Sequence, residues 1–209
     1  MSCILVFIPL LVNAELSTRD AWDNLKKLLE TGGYQVIGQE ITVGPDLSIK
    51  NVQISSEVDA QTDITFDIGS LDLTKNKDGF INISLPEEIY VQYLNEDEFG
   101  YKTEANILVR ARELDFKVSG ELSQVLYQLT ASSAGFALVE LLDNGVPSPD
   151  FSAEMEFVLA DVNSTIRATG GSTIEITSLL SASGASIKGG FRVLSVPLEL
   201  NFQYVMDQL

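Results

Sequence analysis

Leu47-Ser48-Ile49-Lys50-Asn51-Val52-Gln53-Ile54 and Ile64-Thr65-Phe66-Asp67-Ile68-Gly69-Ser70-Leu71-Asp72-Leu73 decide the fold class. In both stretches apolar and polar residues alternate with a period of two, the signature of a strand with one buried face. In both, the alternation also changes parity partway. Apolar positions run 47 and 49, then 52 and 54; in the second stretch they run 64, 66 and 68, then 71 and 73. A slip of one residue would turn half of each strand toward water unless an extra residue intervenes, and a β-bulge supplies it while bending the strand. Lys50-Asn51 and Gly69-Ser70 are the candidate bulges. Residues 107–118 repeat the pattern with a slip at Arg112-Glu113, where a tight turn competes with a bulge. The three sites together predict a strongly curved sheet.

Strand signals extend on both sides. They cover residues 36–43, 80–85, 89–94, 125–129, 136–142, 155–162, 165–168 and 173–176, and a closing strand is predicted over 191–205. Asn76-Lys77-Asp78-Gly79 joins two of the runs, and Asp78-Gly79 is a strong hairpin signal. In the closing run Leu194, Val196, Leu198, Leu200, Phe202 and Tyr204 share a face, and Pro197 favours an edge or bulge position. Residues 122–142 are rich in Ala, Leu and Ser and permit a helix as well as strands. With no amphipathic helices between the strands, the connections are antiparallel meanders and not βαβ units. The fold class is therefore mainly β (α+β): one strongly curved antiparallel meander sheet with an N-terminal amphipathic helix.

That helix begins after Ser17, with Asp20 placed to complete a capping box. Trp22, Leu25 and Leu29 form one apolar stripe, and Gly32-Gly33 ends it. Trp22 reads as a packing anchor and not as a binding residue.

The first residues differ in kind. Ile4-Leu5-Val6-Phe7-Ile8-Pro9-Leu10-Leu11-Val12 is apolar, and Val12-Asn13-Ala14 places small residues where a signal peptidase needs them. Residues 1–14 thus read as a signal peptide cut between Ala14 and Glu15, although no Lys or Arg precedes the apolar run. A buried N-terminal strand is the competing reading, and Pro9 would sit badly in it. Nine apolar residues fall short of the roughly 20 that a transmembrane helix requires, so no transmembrane anchor is expected. A single domain is expected over 15–209.

Composition narrows the function. The 209 residues include 30 Asp and Glu against 13 Lys and Arg, a formal charge of −17. Such a field repels nucleic acid and anionic lipid surfaces. The chain holds no histidine, and its only cysteine is Cys3, inside the leader. Ser-His-Asp and Cys-His catalysis, thiolate chemistry and ordinary zinc or haem ligation therefore lack their residues. Nucleotide-binding glycine motifs are absent, and Gly170-Gly171 and Gly189-Gly190 read as turns. Carboxylates remain. Asn76-Lys77-Asp78-Gly79 and Asn95-Glu96-Asp97-Glu98 are candidate calcium loops, but neither has EF-hand spacing, and solvated loops are the plainer reading. No catalytic, cofactor-binding or metal residue is assigned, and the ligand-binding residues are unknown.

Asp20-Ala21-Trp22, Gly32-Gly33-Tyr34, residues 47–54 and the hairpin Asn76-Lys77-Asp78-Gly79-Phe80-Ile81-Asn82-Ile83-Ser84-Leu85-Pro86 resemble the exported alphaproteobacterial proteins of domain of unknown function 2125 (DUF2125). The resemblance is clearest over 17–86. It implies a β-rich fold in the periplasm of a Gram-negative bacterium, and a copy shorter at its C-terminus than most members; it implies no activity. The expected role is non-enzymatic: binding or carrying an apolar ligand such as a lipid on the curved sheet. The alternative is a structural or interaction protein of the cell envelope. An outer-membrane barrel ranks below both, and carboxylate-only catalysis last.

Overall fold

The computed structural model describes residues 15–147, 151–169, 175–193 and 198–207, with 151–154, 190–193 and 198–207 described by their backbone. The leader with its Ala14–Glu15 cleavage position, Gly170-Gly171, and Leu194 to Pro197 of the expected closing strand fall wholly or partly outside these residues.

Helix α1 (Thr18–Thr31) precedes thirteen strands: β1 (Gln35–Val43), β2 (Asp46–Asp59), β3 (Thr62–Lys75), β4 (Ile81–Ser84), β5 (Glu88–Glu96), β6 (Lys102–Arg112), β7 (Asp115–Glu121), β8 (Gln124–Asp143), β9 (Val146–Pro147), β10 (Phe151–Thr169), β11 (Glu175–Ser181), β12 (Gly184–Val193) and β13 (Leu198–Asp207). All belong to one antiparallel sheet in the order β1-β2-β3-β4-β7-β8-β10-β12-β13. β5 and β6 lie between β3 and β8, β11 lies beside β10, and β9 beside β8.

Two open readings are decided and two expectations change, one of them at Gly189-Gly190, which lie inside β12 paired to β10 and not in a turn. Residues 122–142 are not helical: β8 runs unbroken because both of its edges are paired, to β6 and β7 on one side and β10 on the other, and that ladder overrides helix propensity. The slip at Arg112-Glu113 is a break between β6 and β7, with Glu113 at φ 51°. The closing run is not one strand but two, β12 and β13, paired with each other. Alternation alone cannot tell a continuous strand from two halves of a hairpin.

The bulges organise the whole sheet. Asn51 has φ 52° and Gly69 φ 73°, the left-handed region that Gly enters freely and Asn more readily than other residues. Lys50 pairs with Ser70 and Gln53 with Asp67, so each strand carries one extra residue and the register recovers beyond them. The same irregularity continues across the neighbours. It passes through Gly38 in β1, the gap between β4 and β5, the gap between β6 and β7, Ser132 in β8, Asp161 (φ 47°) in β10, and the gap between β11 and β12. A crease therefore crosses the sheet from edge to edge. It separates a proximal half, carrying α1, from a distal half.

The proximal half holds the core. Leu47, Ile49, Val52, Ile68, Leu71, Leu73, Ile81, Ile83, Val118, Val125, Tyr127 and Ala168 are buried in one cluster with Leu16, Ala21 and Trp22. Helix α1 packs on β1, β2 and β3, yet Val118 and Val125 on β7 and β8 are as fully buried as Ile49. The sheet must therefore curl until its far strands close over the same interior. Tyr127 spans that interior, its hydroxyl donating to Asn24 Oδ1 on the helix at 2.9 Å.

Candidate functional site: the apolar face beyond the crease

Past the crease the same face continues, and among the described residues no second layer lies on it. Direct cross-strand partners share a face, so the pairing defines apolar rows. Phe66, Val91, Ile107 and Leu138 form one. Ile89, Val109, Phe136, Phe157 and Ile187 form the next. The rings of Phe136 and Phe157 meet tilted by 33° with centroids 5.4 Å apart, and Tyr34 meets Phe66 edge-on at 6.5 Å beside the helix exit.

Each row exists because the crease resets the alternation. On β8 the inward residues are 125, 127, 129 and 131 before it and 134, 136 and 138 after it. On β10 they are 157 and 159 on one side and 162, 166 and 168 on the other. Without the reset the distal half would present Ser133 and Gly135 on this face in place of Phe136.

Burial is graded along this face: Ile49 and Leu73 are sealed and Val91 is buried, whereas Ile54, Phe66, Ile107, Leu138 and Phe157 are half-buried and Phe136 reaches 36%. Among the described residues α1 is the only element off the sheet, and it lies on β1 to β3. The distal apolar rows thus line a curved floor whose cover is incomplete.

The opposite face of the distal half is mixed, with Leu108 buried among polar neighbours. Gln53, Asp67, Tyr90, Leu108, Ala137, Glu156 and Lys188 follow one another across it. A small cavity there, about 190 Å³, is lined in part by Arg110, Arg112, Ser133 and Glu156. Arg110 is already engaged by Glu88, Nε to Oε1 at 2.9 Å.

The candidate calcium loops use their oxygens internally. Asn76 Oδ1 accepts from the backbone N–H groups of Asp78 and Phe80. Asp97 Oδ1 accepts from those of Phe99 and Tyr101. Glu96 pairs with Lys102 at 3.2 Å, and Asn95 donates to Thr62 Oγ1 at 3.0 Å. These side chains brace hairpins. Among the described residues no group of three or more His, Cys, Asp or Glu converges as a metal site, and no helix is long and apolar enough to cross a membrane.

Sequence reasoning left the ligand-binding residues unknown. Phe136, Phe157 and Val109 were legible as strand residues, but which face they share depends on the pairing of β8 with β6 and β10. Comparison with family models finds no matching family, and comparisons with curated proteins and solved structures find no matching chain.

Proposed function

We propose that this protein binds and carries an apolar ligand, of the acyl-chain class, on the distal face of its creased sheet. The observation that carries the reading is the continuity of the apolar face. The same face that is sealed in the proximal half runs on into rows of largely half-buried Phe, Ile, Leu and Val that no second layer covers among the described residues. Ligand sites are concave and mostly apolar, and burying such side chains under a ligand returns roughly 25 cal/mol per Å². Tyr34, Phe66, Phe136 and Phe157 add polarisable ring surface along the floor.

The place of action in this reading is the periplasm of a Gram-negative bacterium. It rests on the leader over 1–14 and on the resemblance to DUF2125 proteins. N-terminal sequencing of the exported protein should return Glu15, and osmotic-shock fractionation should release it with soluble periplasmic proteins.

The binding test is direct. A fluorescent fatty acid titrated into the purified protein should gain intensity and saturate, and native mass spectrometry should detect co-purified lipid. Phe136→Asp places a charge in the floor at a half-open position and should weaken uptake at least tenfold, about 1.4 kcal/mol, with little change in melting temperature. An unloaded protein that also fails to take up the probe would sink the proposal.

A further inference from the structure

We infer that β11 is a self-association edge, through which two copies of this chain join antiparallel about a twofold axis at Ser178. β11 pairs with β10 along one side and with no other strand among the described residues. All seven of its residues are exposed, including Ile176 at 50%, Leu179 at 70% and Leu180 at 63%. An open edge offers unpaired backbone donors and acceptors, and natural proteins shield such edges with Lys, Pro, bulges or short length. Glu175-Ile176-Thr177-Ser178-Leu179-Leu180-Ser181 contains no Lys, no Pro and no register shift.

Charge selects the occupant. At −17, two copies repel over most of their surface. Residues 162–187 hold only two charged residues, Arg167 and Glu175, which cancel, while the whole chain holds 13 basic and 30 acidic ones. This edge is where like copies approach without like charges meeting.

The sequence is also self-complementary about Ser178. Antiparallel pairing centred there sets Ile176 against Leu180 of the partner subunit and Thr177 against Leu179 of the partner subunit. Ile176 and Leu180 stand opposite Ala168 and Ser164 of β10, on the face that forms the interior. A twofold axis perpendicular to the sheet keeps that face on the same side in both copies. Glu175 then falls opposite Ser181 of the partner subunit. The two Glu175 carboxylates lie about 20 Å apart at roughly 3.3 Å per residue, beyond a Debye length of about 8 Å. The product is one continuous sheet with its apolar face doubled in width. The inference does not depend on the carrier reading.

Sedimentation velocity of the full chain over a concentration series tests it, with expected convergence on a dimer. Leu180→Lys should shift the equilibrium to monomer and leave the circular dichroism spectrum unchanged. In a Cys3→Ser background, Ser178→Cys should form a disulfide-linked dimer on mild oxidation. Residues directly opposite in an antiparallel pair have Cα atoms about 4.5–5.5 Å apart, within disulfide reach. Glu175→Cys should not crosslink. A monomer at every concentration, open-ended assemblies, an unaffected Leu180→Lys variant, or Glu175→Cys crosslinking as readily as Ser178→Cys would each overturn the inference. Sedimentation is read without a fatty acid, so failure of the carrier proposal leaves its outcome legible.

Discussion

The indole nitrogen of Trp22 donates to Glu40 Oε1 at 2.9 Å, and the other carboxylate oxygen of Glu40 pairs with Arg19. One carboxylate on β1 thus receives two side chains of α1 and fixes how the helix lies on the sheet edge. Hydrogen bonding from Trp22, followed by the hydrogen bond and charge of Arg19, lowers the Glu40 pKa from its ordinary 4.5.

The lowered value sets a sign for acid sensitivity. A carboxyl whose folded-state pKa is depressed stabilises the protein above the ordinary value, and that contribution disappears as pH falls through the folded-state value. Glu40→Gln should therefore be less stable than the parent at pH 7, with the gap closing as pH drops below about 4.5. Paired thermal melts across that range measure it. A gap independent of pH would remove Glu40 from the linkage.

Gly38 should tolerate no side chain. A Cβ there would stand 2.5 Å from Ile49 Cγ2, and Ile49 is fully buried. Gly38→Ala should cost about 1–3 kcal/mol by overpacking, measured by urea unfolding.

At Gly69 the constraint is the backbone. A Cβ meets nothing within 4 Å, but φ is 73°. Gly69→Asn should therefore be milder than Gly69→Val, because Asn enters the left-handed region more readily. Asn51→Gly should be close to neutral, and Asn51→Val should cost about 1–2 kcal/mol. Equal losses for the Asn and Val variants of Gly69 would contradict the bulge assignment.

The two halves should separate stability from binding. Leu73→Ala, at a sealed position, should cost about 2–5 kcal/mol. Phe136→Ala, at 36% exposure, should cost much less while weakening fatty-acid uptake.

Tyr127 should titrate late. Burial pushes its phenol above the ordinary 10.0. A raised folded-state value means that stability present below pH 10 falls as pH rises past the unfolded value. Tyr127→Phe should flatten that alkaline loss and remove the hydrogen bond to Asn24, at about 0.5–1.5 kcal/mol near neutrality.

The strand class, the opening helix with its Ser17–Asp20 capping box, and two bulges were legible from local pattern. A parity slip records a face change wherever one side is buried. Residues 107–118 show their face in the sequence but not their break, and the run 191–205 does not show that it belongs to two paired strands, since alternation is indifferent to whether the ladder partner changes. β12 opens with Gly184-Ala185-Ser186, residues of weak strand preference, and it is held by pairing to β10 and β13. The distal apolar rows were invisible for the same reason: Phe136 and Phe157 are 21 residues apart and meet only through register.

The crease limits how such a chain can change length. Removing Asn51 alone would rotate half of β2 inside out relative to β3, and Gly69 would then have nothing to answer. Removing one residue from each strand together would restore the match. Insertions and deletions along this seam should therefore come in coordinated sets across neighbouring strands, whereas hairpin tips can lengthen singly.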